Sequence, residues 1–94
     1  MRQGVRVGRP CVVVHARRRT EPPSRAGFVV SRAVGGAVVR NRVKRRLRHL
    51  AAGELQSLGF PVDIVVRALP AAAEGELADD FRSALAGCAR RLAS

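Results

Sequence analysis

The sequence predicts an α+β fold, in which a small mixed sheet is sandwiched with helices. Three observations predict it. Short β-branched runs at Cys11–Ala16, Ala26–Ser31 and Val62–Arg67 have strand character. Two longer stretches carry apolar residues at helical spacing: Val39, Val43, Leu47 and Leu50, then Leu77, Phe81, Leu85, Cys88 and Leu92. Their order, strand–strand–helix–strand–helix, suits a sheet covered by helices. With 94 residues and no internal repeat, the expectation is one domain over 1–94.

Val5–Arg9 alternates apolar with basic or small residues and reads as a short edge strand that Pro10 ends. In Cys11–Ala16, alternation puts Cys11, Val13 and His15 on one face and Val12, Val14 and Ala16 on the other. Arg17–Ser24 holds two prolines and several charges, so it is expected as a loop. With Ala26–Ser31 beyond it, the two strands are expected to form a hairpin with a long cationic tip.

Gly35-Gly36 allows a sharp turn, and a helix is expected from Gly36 or Ala37 to the Gln56 region, weakened at Gly53. Gly59-Phe60-Pro61 closes the connection. Val62–Arg67 is so nearly apolar throughout that burial on both faces is expected. The last helix has Glu74, Glu76, Asp79 and Asp80 at its start and Arg90 and Arg91 at its end, as the helix dipole favours.

Net charge is +11, which implies a polyanionic partner, nucleic acid first. Fourteen of the 18 basic residues lie in 1–60, against Glu21 and Glu54 alone as acids. Six of them fall between Arg40 and Arg48, inside the first helix. Its apolar stripe would then be the underside. Asn41, Lys44, Arg45 and Arg48 would face away, with Arg40 and Arg46 on the flanks and Arg42 beside His49. A merely solvated helix mixes signs to gain i, i+4 pairs; this one does not.

Catalytic chemistry is not visible. Ser31 and Ser57 have no evident His or Asp partner, and the acids are mostly spent on the last helix. Cys11 and Cys88 read as buried thiols, and no metal-ligand spacing occurs. No apolar run approaches the ~20 residues that cross a bilayer. The start, Met1-Arg2-Gln3-Gly4, has no signal-peptide character. A cytoplasmic protein without a membrane or small-molecule partner is expected.

The run Val38-Val39-Arg40-Asn41-Arg42-Val43-Lys44-Arg45, preceded by Phe28-Val29-Val30-Ser31-Arg32, resembles the "RNR" signature of the bacterial ribonuclease P protein subunit. The similarity extends over most of the chain. It implies a left-handed βαβ crossover around the signature helix. It implies a catalytic RNA subunit as partner, which with Mg²⁺ removes the 5′ leader of precursor tRNA; the protein alone binds no cofactor and is not active. By position, Arg40, Asn41, Arg42, Lys44, Arg45, Arg48, Ser31 and Arg32 would contact RNA. His15 and Val13 would line a cleft for the single-stranded leader, His15 standing where the family usually has an aromatic.

Three features depart from the pattern. Gly36 replaces a usual Asn, and Arg46 stands where an apolar residue is common. The family also carries a basic N-terminal helix ahead of the point matching Gly4, and this sequence starts almost there. Either the true start lies upstream, or the chain is truncated, or the cleft lacks one wall. In that last case the N-terminal helix is missing, one sheet face is open, and the chain is expected to self-associate without RNA. Two other readings compete. One is a general RNA-binding structural protein, such as a ribosomal component. The other is a DNA-binding module using the cationic helix, although no helix-turn-helix pattern precedes it.

Overall fold

The computed structural model describes residues 4–93. In chain order the elements are β1 (Val5–Gly8), β2 (Val12–Arg18), β3 (Arg25–Val30), α1 (Ala37–Gln56), β4 (Val62–Ala68), a 3-10 turn (Pro70–Ala73) and α2 (Leu77–Ala93). The four strands form one mixed sheet in the order β1-β2-β4-β3. The N-terminal helix implied by the resemblance would lie ahead of Gly4, outside the described residues.

The sheet departs from expectation in three ways. First, β2 runs on to Arg18, so Arg17 and Arg18 are strand residues rather than loop. Second, β2 and β3 form no hairpin. β4 lies between them, antiparallel to β2 from Val12↔Ala68 to Arg18↔Val62 and parallel to β3 from Arg25↔Asp63 to Val30↔Ala68. β4 is the most apolar strand, and the central place gives both of its edges a hydrogen-bonded neighbour. Third, β4 is buried on one face only. Val62, Ile64, Val66 and Ala68 point into the core, while Val65 is 39% exposed. The cause is that both helices pack on the same side: α2 over β1 and β2, α1 over β3, each touching the other.

The core lies between sheet and helices. Val12, Val14 and Ala16 supply β2's share, the face that alternation assigned. Leu77, Phe81, Leu85 and Cys88 of α2 are buried on it, as their spacing predicts. Fully burying a side chain such as Phe81 stabilises by about 1.5–3 kcal/mol. Asp80, in the first turn of α2, accepts a hydrogen bond from the Cys11 backbone N–H at 2.8 Å, tying the helix start to the β1–β2 connection. Cys11 and Cys88 are free, buried thiols. Burial, with the Asp80 carboxylate beside it, pushes the Cys11 thiol up to about 11, and burial likewise raises Cys88.

α1 spans the expected residues, and Gly53 does not stop it. Its N-cap, Gly36, has no side chain to offer the free N–H groups. Gly35 is needed for a different reason. A Cβ there would stand 2.9 Å from the Val39 Cβ, too close for any other residue to turn so tightly into the helix.

Candidate nucleic-acid interface

The sequence stripe of α1 places Val39, Val43, Leu47 and Leu50 underneath. The fully buried residues are Val43, Leu47 and Ala51. The buried seam is therefore turned toward Ala51 by roughly 45° at 100° per residue. The rotation sorts the cations. Arg40 and Lys44 move to the inner flank and are half-buried, Lys44 contrary to its expected outward place. Asn41, Arg42, Arg45, Arg46 and Arg48 are exposed. The rotation arises because α1 packs against α2 and the 3-10 turn as well as β3.

None of these side chains has a hydrogen-bonding or ionic partner among the described residues. The Nε of Arg40 is buried without a partner. The helix's ion pair, Glu54 with Arg82 at 2.8 Å, lies near its far end. Along the helix, Arg42 and Arg46 are four residues apart, and so are Lys44 and Arg48. Like charges at this spacing destabilise an isolated helix by about 0.2–0.5 kcal/mol per pair. Packing of the underside holds together a helix whose upper surface repels itself.

Ser31 and Arg32 form the exposed turn leaving β3, where their carbonyls accept from Val34 and Gly35 N–H groups at 3.1 and 3.2 Å. Ser31 does not join the α1 crest. With Val29, Arg67 and Leu69 it lines a recess of about 240 Å³ at the end of the sheet.

The sheet face away from the helices is a second surface, and its register can be read row by row. Gly8, Val13, Arg67 and Val29 stand abreast; then Arg6, His15, Val65 and Gly27; then Arg17, Asp63 and Arg25. Val13 and His15, the two cleft candidates, are therefore neighbours on one face, both half-buried. Val29 and Val65 extend their apolar floor, 47% and 39% exposed. Arginines stand around it. This mixture suits a single strand whose bases meet the floor and whose phosphates meet the guanidiniums, although His15 is the one ring available for stacking.

Reading the sequence alone missed the row that ends this face. Asp63 accepts hydrogen bonds from Arg17 Nη2, Arg19 Nη1 and Arg25 Nε, each at 3.0 Å. The bonds from Arg25 and Arg17, then Arg19, hold its carboxyl well below the usual carboxylate range. A signal existed: an Asp inside an apolar strand needs a counter-charge, and Arg17–Arg19 offered three. Nearby, Arg18 lies 4.1 Å over the Phe60 ring. No helix among the described residues is long and apolar enough to cross a membrane.

The family model described as Ribonuclease P matches residues 1–92. The chain is 55% identical over 96 residues to the ribonuclease P protein component of Kocuria rhizophila, covering 99% of this chain and 85% of that one. It is 52% identical to the same component of Streptomyces bikiniensis, covering 90% and 79%. Among solved structures, the RNase P protein of Staphylococcus aureus superposes with a TM-score of 0.77 at 26% identity, over 90% of this chain and 81% of that one. That of Thermotoga maritima gives 0.73 at 26% identity, over 96% and 84%.

Proposed function

The chain belongs to the ribonuclease P protein family, and from that premise we propose how it meets its RNA. Its function is that of the protein component of ribonuclease P, an endoribonuclease that matures tRNA 5′ ends and in which the protein works with an RNA subunit. In our reading α1 is the docking face. Arg42, Arg45, Arg46 and Arg48 meet phosphates of the RNA subunit directly, with Asn41 between them. Arg40 and Lys44 approach from the inner flank, and Arg32 extends the surface past the turn.

The observation that carries this reading is that the cations between Arg40 and Arg48 have no counter-charge among the described residues. Phosphates can supply what the described residues do not. Such contacts position an RNA without reading its bases. In the same reading the open sheet face takes the single-stranded 5′ leader of precursor tRNA. His15 stacks on a base, Val13 and Val65 form the floor, and Ser31 closes one end.

Magnesium in this proposal is held by the RNA. On the sheet face, the Asp63 carboxylate is engaged by three arginines. We place the complex in the cytoplasm.

Reconstitution tests the reading. A bacterial ribonuclease P RNA transcript is assayed on precursor tRNA at low Mg²⁺, with and without the purified protein. The protein should accelerate cleavage with the RNA and do nothing alone. Cleavage by the protein alone, or indifference of the RNA to it, would overturn the reading.

A further inference from the structure

At the edge of the sheet opposite α1, a groove of about 260 Å³ opens between β1 and α2, lined by Val7, Arg9, Gly87, Arg90 and Arg91. We propose that this groove is a second phosphate-binding surface, gripping another backbone segment of the same folded RNA that docks on α1. The proposal rests on the RNA-docking reading and extends it to a face that neither the signature helix nor the open sheet includes.

Three observations support it. Among the described residues, the lining brings three guanidiniums from two separate elements and no carboxylate. Arg90 and Arg91 suit the end of a helix through its dipole, but the dipole gives no reason for Arg9 to join them from the β1 end. Next, two of the guanidiniums are anchored by neutral acceptors. Arg9 donates to Ser83 Oγ and to the Gly8 carbonyl, both at 2.8 Å, and Arg91 donates to the Arg6 carbonyl at 3.0 Å. These bonds fix position, leave the charge uncompensated, and use only part of each guanidinium's five N–H groups. Finally, Gly87 lets α2 close on β1 beside the groove: a Cβ there would stand 3.2 Å from Val7 Cγ2.

The two cationic flanks are separated by three strand spacings, about 14 Å. A compact RNA can touch both, and on a rigid body the second contact forms at high effective concentration.

The test measures affinity for a ribonuclease P RNA transcript across a salt series, with melting midpoints as the folding control. Arg91→Gln should weaken binding roughly two- to threefold and make the salt slope shallower by about 0.8. Arg9→Gln, on the other element, should flatten it by about 0.8. All three proteins should fold cooperatively, the variants melting only slightly lower because the bonds to Ser83 Oγ and the Arg6 carbonyl are lost. Unchanged slopes in both variants, while Arg42→Ala/Arg45→Ala flattens its own, would overturn the groove and leave the α1 reading standing. Wild-type protein that fails to bind the transcript would bring down both. A titration with inorganic phosphate separates the sources of the anion. Saturation of the Gly87 amide shift below millimolar phosphate, with RNA slopes unaltered, would mark a small-anion site and overturn the RNA assignment.

Discussion

Two groups of arginines in this molecule have the same chemistry and opposite surroundings. Arg17, Arg19 and Arg25 converge on the single carboxylate of Asp63, across β2 and β3 and from the loop. Arg42, Arg45, Arg46 and Arg48 stand on α1 with no partner among the described residues. The first group joins the ends of three neighbouring strands and so contributes to folding. The second opposes folding slightly and, in the proposed docking, takes its counter-charge from RNA phosphates. Net charge alone does not tell these groups apart.

The largest effect expected from breaking this contrast is on α1. Arg42→Ala/Arg45→Ala should lower affinity for the ribonuclease P RNA at least tenfold and flatten the salt slope by about 1.5. The melting midpoint should hold or rise slightly, because repulsion is relieved. A fall in midpoint with unchanged affinity would place these residues in the structural group instead.

Next in size is Asp63→Ala. It frees three guanidiniums at once, so the urea midpoint should fall clearly, whereas RNA affinity should change little or increase. If affinity collapsed while stability held, the Asp63 row would belong to the interface.

A pH series sharpens the same point. The folded state holds the Asp63 carboxyl below its ordinary 3.8, so ionised Asp63 stabilises the fold. That contribution is complete above the ordinary value and is lost as pH falls below about 4 toward the depressed value. Asp63→Asn should remove this part of the acid-side decline; equal acid curves for both proteins would refute it. The smallest effect is expected at Phe60→Leu. Losing the ring under Arg18 should cost about 1 kcal/mol in chemical denaturation, with RNA binding unchanged.

The parts legible in the sequence are those governed by neighbours a few residues apart. The α1 span, the α2 stripe and the crowding of charge between Arg40 and Arg48 follow from i, i+4 geometry. The inward face of β2 follows from alternation. β4 shows the limit. Its alternation of Asp63, Val65 and Arg67 with Val62, Ile64 and Val66 was present, but its apolar content suggested burial on both sides. One-sided burial followed only from both helices packing on the same face.

The sequence by itself determined which segments become strand or helix, where the cations lie along the chain, and which residues seek the core. Tertiary structure alone decided that β4 enters between β2 and β3, that α1 rolls toward Ala51, and that Asp63 meets arginines 38 to 46 residues away. The physical reason is range. Helical periodicity and pleat are properties of adjacent residues, whereas strand order and ion pairing across a sheet depend on which distant segments pack together.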